Sequence, residues 1–162
     1  MQEEGLAEKT GVSIPAHVLA RMHAHLVAGY PHEACGILIG EALPDGADAR
    51  PHVKVVHDVV LVANVWSVES ASEGQHNRYL ISPEDVARAD RLASTRGLDI
   101  VGFFHSHPDH PARPSETDRE FAWPVISFVI VAVEQGCVSD TRSWVLRDDR
   151  SGFDEERVDV TG

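Results

Sequence analysis

Two hydrophobic periods run through the chain and separate its helices from its strands. Around and after Pro15, the apolar residues Ile14, Val18, Met22, Leu26 and Ala28 recur at roughly helical spacing, which predicts a helix closed by Gly29 and Pro31. A second helix is predicted from Ser82-Pro83-Glu84-Asp85, with Ser82 as N-cap, Pro83 in the first helical position and Gly97 at its end. Its apolar stripe is Val86, Ala89, Leu92 and Ala93. A third, short helix spans 115–122 and is stopped by Trp123-Pro124. Continuous apolar runs predict buried strands at 35–40, 99–104 and 125–133, the last of them central. Shorter strands are expected at 12–14 and 78–82, and a long Val-rich one at 52–66, interrupted near Asp58. Gly136 makes a turn into a pairing strand at 138–146, and a last strand is expected at 157–160. Pro44-Asp45-Gly46 is a turn signal; 67–76 and the charged stretch 147–156 read as loops.

This order implies an α/β (α+β) sandwich-like domain, a mixed, curved sheet with helices packed on it. Residues 12–146 form the domain, 1–11 a polar, disordered segment, and 147–162 an extension able to add a final strand. At 162 residues the chain fits one domain with a sizeable core. Its formal net charge of −12 argues against nonspecific binding to nucleic acid or to an anionic membrane. The longest apolar stretch, 125–133, is far too short to span a bilayer. The first residues carry no secretory pattern, so a cytoplasmic protein is expected, and Cys35 and Cys137 suggest no disulfide framework.

The chemistry concentrates where the strand 99–104 ends. His105 and His107 follow it one residue apart, and side chains of a strand repeat every two residues, so both imidazoles point to one face and can hold a single metal ion. A loop constrained by Pro108, Pro111 and Pro114 leads to Ser115-Glu116-Thr117-Asp118, a helix start resembling a capping box. If that loop doubles back, Asp118 becomes a third ligand. Two histidines and a carboxylate are a common catalytic zinc set that leaves a position for water. The candidate base is Glu33, set between a helix end and an apolar strand, where a carboxylate is costly without a partner or a task. Cys35, two residues on, can be read as a nucleophile, but a small buried strand residue is its more ordinary role. His17, His23 and His25 read as solvated, and His52, His57 and Asp58 as a strand with a wet face rather than a second metal cluster.

Pro-x-Glu-x-Cys-Gly at 31–36, Gly-x-x-His-Ser-His-Pro at 102–108 and Pro-Ser-x-x-Asp at 114–118 together resemble the signature of the JAMM (MPN-plus) metalloproteases. The resemblance runs from about residue 13 to 146 and is closest to the small prokaryotic branch. It implies a cytidine-deaminase-like fold, one catalytic zinc held by His105, His107 and Asp118, Glu33 as general base, and Ser115 stabilising the oxyanion. The partner it implies is a ubiquitin-like or sulfur-carrier protein of β-grasp fold, cleaved after its Gly-Gly tail from a lysine or a cysteine. The loops at 67–76 and 109–113 are candidate walls for that tail. The oligomeric state is open, a homodimer included.

Three other readings compete. Non-catalytic interaction scaffolds of the same family lose their ligands, whereas every position is filled here. A DNA-associated metalloenzyme is disfavoured by the acidic balance. A structural zinc site needs a fourth protein ligand, for which Cys35 is the one candidate.

Overall fold

The computed structural model describes residues 10–44, 51–62 and 81–162. The expected N-terminal disordered segment falls almost wholly outside the described residues. So do Asp45-Gly46, the end of the long Val-rich strand, the loop at 67–76 and most of the strand expected at 78–82.

The elements are β1 (Gly11–Pro15), α1 (Ala16–Gly29), β2 (Cys35–Pro44), β3 (Pro51–Val62), α2 (Pro83–Thr95), β4 (Asp99–Pro108), α3 (Glu116–Phe121), β5 (Ser127–Glu134), β6 (Cys137–Leu146) and β7 (Phe153–Thr161). The strands lie in the order β1-β3-β2-β4-β5-β6-β7, and β7 pairs back on β1 to close the sheet into a barrel. β1 runs parallel to both its neighbours and β4 parallel to β5; the other pairs are antiparallel, so the sheet is mixed as expected.

The curled sheet wraps around α1, which packs against all seven strands. Val18, Met22 and Leu26 of α1 meet Val12, Ile14, Leu38, Val56, Phe104, Val129 and Val131 on the concave face. The convex face carries a second cluster, in which Cys35, Ile37, Phe103 and Phe128 meet Ala89 of α2 and Ala122. Pairing of β2 with β4 slips between Leu38 and Ile39, opposite Gly102 and Ile100, leaving Val101 as an extra residue. Such a bulge inverts the alternation. Ile100 and Phe103 therefore share the convex face while Val101 and Phe104 share the concave one. Gly36 lets the Phe104 ring lie against the β2 backbone: a Cβ there would sit 2.2 Å from Phe104 Cζ and 2.8 Å from the Val60 carbonyl oxygen.

Several expectations are corrected. The charged stretch 147–156 is not all loop: β7 begins at Phe153 and is an integral stave of the barrel, because the edges of β1 and β6 both need a partner. The central strand begins at Ser127, not Val125, which has a φ of 79° and is 51% exposed. β4 continues four residues past Phe104, so the histidines lie within the ladder. Leu92 is exposed, since α2 meets the sheet through the small residues Ala89 and Ala93. His23 and His25 are half-buried rather than solvated: His23 Nε2 lies 3.0 Å from Thr141 Oγ1, and His25 Nε2 lies 2.9 Å from the Cys35 carbonyl oxygen. His57 pairs with Glu41, and Asp58 with Arg21 and Arg96.

Candidate metal centre

β4 is paired on both sides, with β2 and with β5, and this fixes its histidines. His105 lies opposite Cys35 and Ile130, and His107 opposite Ala132. Both imidazoles point to the convex face and are buried, His105 completely. Beyond Pro108 the chain turns through Asp109 at a φ of 57°. Asp109 Oδ2 accepts from Tyr30 Oη at 2.7 Å and Oδ1 from the Gln135 amide at 2.8 Å, which ties the loop to the end of α1 and to the β5–β6 turn. Ala112 then packs on Ile130 and Ala132, and its carbonyl accepts from Trp144 Nε1 at 3.0 Å.

These anchors double the loop back, and α3 starts over the histidines. Ser115 Oγ accepts from the Asp118 amide at 3.1 Å, and Asp118 Oδ2 accepts from the Ser115 amide at 2.8 Å, a complete capping box. The same carboxylate faces the imidazoles: Oδ1 is 3.1 Å from His105 Nε2 and Oδ2 is 3.2 Å from His107 Nε2. The two Nε2 atoms stand 3.1 Å apart. Ligands at zinc bond lengths in a tetrahedron are about 3.3 Å from one another, and the two ring nitrogens stand at close to that separation from each other and each from one oxygen of the Asp118 carboxylate.

Protonation agrees with this. His107 Nδ1 lies 2.9 Å from the Pro111 carbonyl oxygen, which can only accept, so Nδ1 carries a hydrogen and Nε2 is the atom turned to the carboxylate. Burial pulls the pKa of His105 down, against the upward pull of Asp118, and the neutral ring is favoured. Burial pushes Asp118 up, but the neighbouring His105 and then His107 outweigh it and hold the carboxyl well below the usual carboxylate range. A neutral imidazole beside an ionised carboxylate is the state a divalent cation requires.

Glu33 lies in the turn between α1 and β2 and is 6% exposed. One of its carboxylate oxygens and a ring nitrogen of each histidine all lie within 4.8 Å of one another. Glu33, His105 and His107 thus form one possible ligand group, and Asp118, at 3.1–3.2 Å from the two rings, offers a second carboxylate to the same histidines. Ser115 is exposed, with its oxygen engaged in the cap. Cys35 is buried in β2, and burial first, then the charge of Glu33, pushes its thiol up to about 12, which removes it as a nucleophile. A depression of about 780 Å³ lined by Lys54, Ile81, Val86, Ile100 and Trp123 lies away from this centre, and none of the candidates lines it. The supporting contacts of Tyr30, Asp109 and the Pro111 carbonyl carry no local sequence signal.

A sheet curled around one helix, with a His-x-His strand on its outer face opposed by a Ser-x-x-Asp cap, defines an α/β domain of the JAB class. The chain belongs to the prokaryotic homologs of the JAB domain, whose family model matches residues 15–147. It is 37% identical over 101 residues to a desampylase of Haloferax volcanii, covering 62% of each chain. It is 28% identical over 113 residues to a probable TtuB-protein conjugate cleaving protease of Thermus thermophilus, covering 69% of this chain and 64% of that one. The matches thus span a little under two thirds of these relatives' lengths. Among solved structures, it superposes on a protein of Desulfitobacterium hafniense with a TM-score of 0.73 at 27% identity, covering 93% of this chain and 92% of the other. A protein of Salinibacter ruber gives 0.65 at 35% identity, covering 92% and 90%.

Proposed function

We propose that the protein is a zinc-dependent hydrolase of the amide or isopeptide bond that follows the Gly-Gly tail of a ubiquitin-like or sulfur-carrier protein. The observation that carries the proposal is the convergence of His105 Nε2, His107 Nε2 and Asp118 to 3.1–3.2 Å, with a second carboxylate, Glu33, close by. The relatives named for desampylation and for cleaving a protein conjugate support the substrate class.

In this reading His105, His107 and Asp118 hold the zinc. Bound there, it supplies Lewis acidity and lowers the pKa of a water to about 7. Glu33 takes a proton from the attacking water and returns it to the departing amine, so one carboxylate serves as base and then as acid. The oxygen of the scissile carbonyl gains charge as the water adds, and the Ser115 hydroxyl donates to it from the helix start. Glu33 is suited to this task because its site excludes bulk solvent without distancing it from the donor atoms.

The test is a sulfur-carrier protein joined through its terminal glycine to cysteine or to a lysine peptide, incubated with and without a chelator. Release of the carrier, abolished by chelation, is expected. Glu33→Gln should keep one zinc per chain while turnover falls by about 10²–10⁴-fold. Zinc-loaded Glu33→Gln with undiminished turnover removes Glu33 from the mechanism.

A further inference from the structure

We infer that Ser106, the residue between the two histidines, is the positioning residue of Glu33: its hydroxyl holds the peptide group next to the base, and its amide holds the one after. The inference rests on the reading of Glu33 above and adds what sets the place of its carboxylate.

Glu33 precedes β2, so the ladder does not hold it; regular pairing with β4 ends at Cys35 opposite His105. One step further, Ser106 takes over. Its amide donates to the Ala34 carbonyl at 2.9 Å, and its Oγ accepts from the Ala34 amide at 2.9 Å. That Ala34 N–H belongs to the peptide formed by the Glu33 carbonyl carbon, so the hydroxyl grips the chain beside the Glu33 Cα. Ser106 is fully buried and faces the concave side, opposite to its two neighbours. An alanine would fill most of the same space but leave the buried Ala34 N–H without an acceptor.

Two further contacts stop the segment from retreating. Ala34 Cβ lies so close to Gly29 that a Cβ on Gly29 would be 2.8 Å from it. His25 Nε2 lies 2.9 Å from the Cys35 carbonyl oxygen and donates to it. Three consecutive residues of β4 therefore carry two proposed ligands and the clamp on the base, and the base and the donor atoms are built as one unit. Catalytic groups tolerate little slack: a displacement of about 1 Å costs on the order of 10²-fold in rate.

The experiment measures kcat, KM, zinc stoichiometry and Tm for Ser106→Ala, Ser106→Thr and Ser106→Cys beside Glu33→Gln. Ser106→Ala is expected to lower kcat by about 10–100-fold with KM and zinc content unchanged. Ser106→Thr keeps the acceptor oxygen and should recover most of kcat; Ser106→Cys, a weaker acceptor, should fall between, and it replaces Ser106→Ala as the test if the alanine variant does not fold. Wild-type kcat in Ser106→Ala overturns the inference. So does a loss of kcat that follows loss of zinc or a rise in KM, or a threonine variant that folds yet is no better than alanine. If Glu33→Gln is itself fully active, the reading of Glu33 has failed; if it is inactive while Ser106→Ala is normal, only the present inference has.

Discussion

Two buried polar clusters occupy opposite faces of the same sheet, and they are satisfied in different ways. On the concave side, Lys54 Nζ lies 3.5 Å from Glu156 Oε2. Glu156 Oε1 also accepts from Ser127 Oγ and, at 2.7 Å, from Ser143 Oγ. All four residues are buried, and β3, β5, β6 and β7 each contribute one. Here the protein brings its own cation, Lys54, to the carboxylate, although Glu156 Oε2 accepts no hydrogen bond. On the convex side, two imidazoles and one carboxylate stand 3.1–3.2 Å from one another, with a neutral ring favoured for His105. Charge met from within makes a structural tie; lone pairs gathered on one point make a ligand site. Burial alone does not distinguish the two, and the kind of donor does.

The largest effect should come from breaking the Lys54–Glu156 cluster. Glu156→Ala leaves Lys54 buried without its partner, and a loss of about 3–5 kcal/mol in denaturant unfolding is expected, with zinc stoichiometry unchanged. Lys54→Met with Glu156→Leu should recover much of that loss, because two apolar residues avoid the desolvation that the ion pair has to offset. A single Glu156→Ala variant as stable as wild type would mean that this pair contributes nothing.

Breaking the convex cluster should do the reverse. Asp118→Asn is expected to weaken zinc binding by more than about 100-fold in competition with a chelator, since even supporting partners of a ligand cost 10–100-fold. The metal-free variant should lose little stability beyond part of its capping box, about 1 kcal/mol. Chelation of the wild type should lower its Tm, because a metal that binds only the folded state stabilises it, and should leave the Tm of Asp118→Asn where it was. An Asp118→Asn protein that retains zinc removes the aspartate from the ligand set.

The smallest effect concerns Cys35, which lies under the convex site. Its thiol is raised from 9.0 to about 12, so the folded state favours the protonated form. The stability this brings is full below pH 9 and is lost as the pH rises towards 12, because the unfolded chain ionises first. Cys35→Ala should flatten that alkaline decline. In native protein at pH 8, a thiol reagent should modify Cys137, which is exposed, and spare Cys35. Rapid modification of both would show that the strand under the site opens.

Much of the site was legible because its signals are local. Period-two alternation sets His105 beside His107, and Ser-x-x-Asp announces a cap whatever lies around it. The boundaries were less legible. Val125 belongs to an apolar run, yet it turns out of the strand with positive φ while the ladder starts two residues later. Glu156 sits in a charged stretch that reads as loop, but it is buried because Lys54, from a strand far back in the chain, meets it. Leu92 satisfies a helical stripe and is exposed, since the width of a stripe depends on what lies opposite.

The amino-acid order alone determined that His105 and His107 share a face, the capping box and the helix and strand periods, since each depends on backbone geometry within a few residues. Only the tertiary structure decided that Glu33 stands beside histidines 72 and 74 positions away, that Ser106 holds the neighbouring peptide, and that β7 closes the barrel. Those contacts come from strand pairing and shared burial, and such long-range terms leave no period in the sequence to read.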